Sequence, residues 1–271
     1  MKLSRTSLRT SAAVAALAVA GILLGSTPAR AQWGTIKGQV VWAGGAVPVN
    51  APAKVDKDKP DCLAKGCSVL QDKLIVNKGN KGVRYVLVWL ADPKDARNAT
   101  FTPKIHPALQ KTPPTVEIDQ PCCTFEARVI GIQAKQDLVV KNSMKISHNF
   151  NIQSLNGGPM ANPLILPGKQ ETIKGFIPKL HPTPYSCSIH PWMKGWIGTF
   201  AHPYFAVTDA DGKFEIKNAP VGKFQLLVWH EEVGFLTMTS KEQRGKVIEI
   251  ANGKATDAGK IDMKIEEEKA P

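Results

Sequence analysis

Residues 185–196 read YSCSIHPWMKGW. Cys187, His190 and Met193 stand at C-x2-H-x2-M spacing, so a thiolate, an imidazole and a thioether fall within seven residues. These are the soft and borderline donors that a copper ion prefers over oxygen ligands. Tyr185 and Ser188 bracket the cysteine near an expected strand end, and Pro191 stiffens the chain just after His190.

A trigonal thiolate site needs a second imidazole, and the stretch does not contain one. The remaining histidines are His106, His148, His181, His202 and His230. His148 lies in KISHNF (145–150), where a strand begins beside an Asn-Ser turn, a placement suited to one pole of a β-sandwich. Asn149 next to it can tie that strand to the ligand stretch through side-chain hydrogen bonds. His106 and His181 each precede a proline and read as surface loop residues. His202 sits in an expected junction and His230 at a strand end beside Glu231, where packing between units is favoured over a second metal site. Met144 and Met160 are the competing thioethers. On the residues alone a plainer reading stands beside this one. In it Cys187 is a small buried hydrophobe, or the partner of Cys122 or Cys123, and Met193 fills the core.

Residues 1–31 read as a secretory signal peptide. Lys2, Arg5 and Arg9 precede an apolar run over 12–24, and Ala29-Arg30-Ala31 has the form of a cleavage site. Nothing after that run approaches membrane length, so the mature chain is expected to carry no transmembrane segment and to work in the periplasm or outside the cell. Of the 35 Lys and Arg, four precede Gln32; the remaining 31 against 23 acids leave a net +8. The excess is spread rather than clustered. It suits an acidic partner protein and gives no nucleic-acid motif. The five cysteines are Cys62, Cys67, Cys122, Cys123 and Cys187. An odd number in an exported chain leaves at least one unpaired, and Cys187 is the natural candidate. One or two bridges are expected between the Cys62/Cys67 stretch and Cys122/Cys123, with the pairing open.

The rest of the chain alternates like strands and turns and offers no convincing amphipathic helix, so the fold class expected is all-β. Strands are read over 35–42, 83–90, 124–130, 138–141, 146–152, 171–176, 183–188 and 197–201. Residues 50–66, rich in Pro, Lys and Asp, read as a surface loop, 92–115 as a long connection and 157–168 as another loop. Short strands are also read over 74–76, 247–250 and 261–265. Near the C-terminus, Asp209 to Gly212 is a hairpin turn signal between 205–208 and 213–216, and 223–229 is a further strand.

YSCSIHPWMKG (185–195), taken with KNSMKISHNF (141–150), resembles the ligand pattern of cupredoxins, with a short loop most similar to that of amicyanin-like proteins. The resemblance implies a Greek-key sandwich over 117–201 holding one type 1 copper. His148, Cys187, His190 and Met193 are the ligands it implies, with Asn149, Pro191 and Trp192 supporting them. His190 is then expected at the solvent-near edge, with Pro191 and Trp192 as the docking collar. GTIKGQVVWAGG (34–45) and FAVTDADGKFEIKNAPVGKFQLLVWHEEVGF (205–235) resemble transthyretin-like or carboxypeptidase-regulatory-like β-sandwich repeats. This implies a discontinuous second domain, 32–116 and 202–271, with the cupredoxin unit inserted. The arrangement is similar to that of exported bacterial proteins labelled methylamine-utilisation-like.

Three strong donors and a weak axial one leave little open coordination for a substrate. The function expected is therefore one-electron transfer to a redox partner protein rather than catalysis. The rivals are a copper carrier or sensor and an adhesion or carbohydrate-binding module.

Overall fold

The strand Leu87–Ala91, LVWLA, has no polar residue because both of its faces are covered. Side chains alternate across a strand, so Val88 and Leu90 enter one core while Leu87, Trp89 and Ala91 enter another. Its neighbour Gly222–His230 divides in the same way, with Leu226 and Val228 on one side and Leu227 and Trp229 on the other. These two strands form the wall between the two halves of the molecule. The computed structural model describes residues 32–238 and 245–265. The leader read over 1–31, most of the turn read over 241–245 and the final EEEKAP run lie outside the described residues.

The first core lies between two sheets. In one, Trp33–Trp42 runs antiparallel to Lys213–Pro220 and parallel to Ala255–Met263. In the other, Leu87–Ala91 and Gly222–His230 are flanked by Phe205–Val207, Gly234–Phe235 and Lys246–Ile250. Ile36, Val40, Phe214, Ile216, Ile248 and Ile261 fill the space with Val88 and Leu226. The Asp-Gly signal is a tight turn in which Asp209 Oδ1 accepts from the amides of Asp211 and Lys213, both at 2.9 Å. Gly212 there has φ 72°, and a Cβ on it would stand 2.3 Å from the Val40 carbonyl oxygen.

A further core, separate from the cluster that receives Leu87 and Trp89, lies between the sheet Gln170–Ile173, Asp137–Lys141, Thr115–Ile118 and a five-stranded sheet. The order in the latter is Val129–Gln133, Lys194–Phe200, Thr183–Ser186, Asn151–Gln153, Met160–Ala161. Leu138, Val140 and Ile173 from one side meet Ile130, Ile132, Ile152, Tyr185 and Ile197 from the other. Phe125, Phe150 and Tyr185 pack into this core, with ring centroids 4.9–5.9 Å apart and Phe125 edge-on to the other two. The protein is all-β apart from one helical turn, Lys59–Cys62, and two 3-10 turns among the described residues. No helix among them is long and apolar enough to cross a membrane.

Several expected boundaries move. The strand expected over 83–90 pairs regularly only from Leu87, because Tyr85 has φ 65° and the Val86 amide bonds the Thr208 hydroxyl at 2.9 Å. The strand expected over 124–130 starts at Val129. Cys122 and Cys123, both with φ 51°, turn the chain before it, and Glu126 makes only an isolated bridge with Asp119. The long connection over 92–115 is followed directly by a strand, Thr115–Ile118, paired parallel to Asp137–Lys141. Over 74–76 there is a single bridge, Val76 to Val83. The loop expected over 157–168 contains two short strands, Met160–Ala161 and Leu164–Ile165.

Arg128 joins the halves. Its guanidinium binds both Glu231 oxygens, at 2.6 and 2.9 Å, and Asp72 Oδ1 at 2.6 Å. Trp196 Nε1 also donates to Glu231, at 3.0 Å. Glu231 is therefore engaged in a buried ion network. His202 and His230 are buried at the same wall. His202 Nε2 donates to the Leu90 carbonyl at 3.0 Å, and its Nδ1 accepts from the Tyr204 amide at 3.1 Å. Nδ1 of His230 accepts from the Glu232 amide at 3.2 Å. Burial pushes the pKa of both down to about 4, opposed by the Leu90 bond in one case and by Glu231 in the other.

This has a consequence for stability. Unfolded, each histidine takes up a proton near its ordinary 6.5; folded, each stays neutral to about 4. Stability is therefore complete above about pH 6.5 and is lost as pH falls toward 4. The loss is about 2 kcal/mol per histidine between pH 7 and pH 5. Urea unfolding at the two pH values should show it, and His202→Gln should make the decline shallower by about that amount. Equal slopes in the two proteins would contradict this role.

Candidate metal centre

The ligand stretch closes on itself before any metal is considered. The Cys187 amide donates to the Met193 carbonyl at 3.1 Å, and the Met193 amide to the His190 carbonyl at 2.9 Å. This narrow loop between Thr183–Ser186 and Lys194–Phe200 turns all three donors inward. His148 opens a two-residue strand, His148–Asn149, paired with Leu164–Ile165. It is remote in sequence and adjacent in space. His148 Nδ1 lies 3.1 Å from Met193 Sδ, the His148 and His190 rings are 4.7 Å apart, and Cys187 Sγ is 3.9 Å from His190 Nδ1. One ligand atom from each of His148, Cys187 and His190 falls within 4.8 Å of the others. All four side chains are buried, none more than 2% exposed.

Asn149 locks the two segments together. Its Oδ1 accepts from the Ser188 amide at 2.7 Å, the Ile189 amide at 3.3 Å and the Cys187 thiol at 3.1 Å. Its Nδ2 donates to the Ser188 hydroxyl at 3.2 Å and to Asn162. Gln120 supports the same strand by donating to the Asn149 carbonyl at 3.2 Å. Trp192 stands with its ring centroid 5.2 Å from His190 and donates from Nε1 to the Cys123 carbonyl at 3.1 Å. Pro191 is exposed.

Burial, and next the neighbouring His190, push the pKa of His148 down to about 4, so its lone pair is free at neutral pH. Its Nε2 is buried without a hydrogen-bond partner. A thiol, two imidazoles and a thioether meeting in an apolar pocket satisfy one another poorly by hydrogen bonding. As a donor set they fit a soft monovalent or borderline divalent metal.

The other candidates lie elsewhere. Met144 Sδ accepts the Cys122 amide at 3.1 Å, and Met160 is 73% exposed. His106 packs edge-on against Trp33 and His181 edge-on against Phe235. His202 and His230 belong to the wall between the halves.

The cysteine pairing is Cys62–Cys123 and Cys67–Cys122, leaving Cys187 free. The two bridges draw residues 51–70 onto the metal-site half, where Val55, Cys62 and Val69 enter its core. Here the structure corrects one expectation. His190 is not the solvent-near edge of the site; it is fully buried. Asp58 Oδ2 sits 2.9 Å from its Nε2, and the Cys62 and Cys123 sulfurs lie within 4.8 Å of one of its ring nitrogens. Asp58 escaped sequence reading because it is one of several charges in a stretch that looks like ordinary surface loop.

No family model matches the chain, and no curated protein matches it. Solved structures do. An oxidised amicyanin variant aligns with TM-score 0.28 and 14% identity, over 32% of this chain and 82% of its own. A purple cupredoxin from Nitrosopumilus maritimus aligns with TM-score 0.27 and 19% identity, over 31% and 97%. A copper-containing nitrite reductase from Thermus scotoductus aligns with TM-score 0.30 and 22% identity, over 38% of this chain and 26% of its own.

Proposed function

We propose that His148, Cys187, His190 and Met193 hold one type 1 copper and that the protein transfers single electrons. The observation that carries this reading is the convergence of two imidazoles, one free thiol and one thioether in a single buried cluster. A copper so held supplies a one-electron Cu(I)/Cu(II) couple. The chain's own part is to fix the donors. The His190–Met193 turn and the Asn149 hydrogen bonds set the loop, and the apolar surroundings exclude water. A carrier that hands its metal on needs a ligand open to exchange; four buried donors favour retention instead.

The two disulfides suit an oxidising compartment outside the cytoplasm. We assign residues 117–201, together with the bridged 51–70 segment, to the metal-binding unit. The remainder of the described chain forms a regulatory-like sandwich beside it. For the redox partner, Pro191 and Trp192 wall a cleft of about 330 Å³ that also carries Lys54, Lys73 and Lys194. Asp56 and Asp72 lie there too, Asp72 being already paired with Arg128. An acidic protein surface is the partner this cleft suits.

Cyclic voltammetry of the copper-loaded protein tests the function. A reversible one-electron wave is expected, and Met193→Leu should keep copper bound while raising the reduction potential, because the weak axial thioether is lost. Absence of a reversible wave in the wild type would end the electron-transfer reading. An unchanged potential in Met193→Leu would move the axial role to another donor.

A further inference from the structure

We infer that Asp58 is a positioning residue of the metal centre, holding His190 from outside by its Nε2, and that the doubly bridged 51–70 segment exists to bring it there. The inference rests on the copper reading above and deepens it. An ionised carboxylate can only accept hydrogen bonds, so at 2.9 Å Asp58 Oδ2 requires the proton on His190 Nε2. That leaves Nδ1, the nitrogen 3.9 Å from Cys187 Sγ, with its lone pair directed into the site. A carboxylate on the outer nitrogen of a ligand imidazole fixes the ring orientation and raises its basicity. The effect is larger here because His190 is fully buried, where hydrogen bonds to charged groups are stronger.

The placement of Asp58 is specified from several sides. Its carbonyl accepts from the amides of Asp61 and Cys62, at 3.1 and 2.9 Å, starting the Lys59–Cys62 turn. Asp58 itself has φ 48° and ψ 37°, so the backbone turns sharply at the residue whose carboxylate meets the imidazole. Four residues on, Cys62 is bonded to Cys123, whose carbonyl holds Trp192. The strand-like contact Ala53 amide to Val69 carbonyl, 3.0 Å, closes the base of the segment. The carboxylate, the disulfide and the indole therefore all stand against His190, which is fully buried.

Asp58→Asn tests this, since asparagine tolerates the left-handed backbone, and Glu171→Gln, at an exposed acid on the strand Gln170–Ile173 away from the docking cleft, controls for the loss of one charge. In the metal-free wild type, the His190 Nε2 proton should resonate far downfield in the NMR spectrum and exchange slowly with solvent. In Asp58→Asn it should move upfield and exchange faster. In the copper-loaded proteins, competition with a chelator should show about tenfold weaker Cu(II) binding in Asp58→Asn, with a raised reduction potential, and no change in Glu171→Gln. Wild-type affinity, potential and proton exchange in Asp58→Asn would overturn the inference. If instead the wild type lacked a thiolate-to-copper band, the copper reading would fail, while the metal-free proton signal would still report whether Asp58 holds the imidazole.

Discussion

Replacing Arg128 with methionine should destabilise the protein by about 3–5 kcal/mol, the usual cost of stranding one partner of a buried ion pair. For a chain of this size that lowers the melting temperature by about 10 °C. The guanidinium side chain is 6% exposed and that of Glu231 8%, so neither charge can return to water without local unfolding. Once Arg128 is gone, Glu231 keeps only the indole of Trp196 as a donor. Asp72, at 31% exposed, is better able to rehydrate and contributes less to the loss. Arg128 also lies where the two halves meet, its own carbonyl accepting from the Trp196 amide at 2.9 Å and the Tyr185 hydroxyl at 3.1 Å. Those backbone contacts survive the substitution, which removes the charge together with one neutral hydrogen bond, from the guanidinium to the Lys194 carbonyl at 3.2 Å. Arg128→Met combined with Glu231→Leu should recover most of the stability, because an apolar pair of similar volume leaves no orphaned charge. Thermal and denaturant unfolding of the wild type and the two variants decide this. A loss under about 1 kcal/mol in the single variant would mean that the network contributes little.

The strong features of the fold could be read from local chemistry. Val and Leu alternation, the Asp-Gly turn and the lack of any amphipathic helix all specify strands within a few residues. The C-x2-H-x2-M spacing is equally local, because the loop closes through its own backbone bonds. What could not be read depends on distant partners. Tyr85 delays a strand because Thr208, 123 positions later, holds the backbone on either side of it. The choice of Cys123 for Cys62 goes with a turn in which Cys122 and Cys123 both have positive φ, which their local sequence does not signal. Arg128, Asp72 and Glu231 are single charges in unrelated segments, and nothing near any of them signals a network. Asp58 is the clearest example. Its stretch is polar, rich in proline and lysine, and looks solvated, yet two disulfides carry it onto the site. From the sequence alone, His190 therefore belongs at an open edge, which the tertiary structure closes.

Cys187→Ser should abolish the intense visible absorption of the copper-loaded protein while leaving the β-structure in place. The thiol is 1% exposed and fills a small pocket beside Asn149, where a hydroxyl fits without overpacking and can donate to the same Oδ1. Stability should therefore change little, and far-ultraviolet circular dichroism should be unaltered. The metal-binding properties should change completely, because a serine hydroxyl is neither soft nor ionised near neutral pH. His148 and His190 would still supply two nitrogens, so weak copper binding can persist without strong colour. The decisive measurement is the visible spectrum of the wild-type chain titrated with Cu(II). It should develop an intense thiolate-to-copper band that saturates at one copper per chain and is missing from Cys187→Ser. A wild-type spectrum with only weak absorption, unchanged by Cys187→Ser, would contradict the assignment of this cluster as a copper centre.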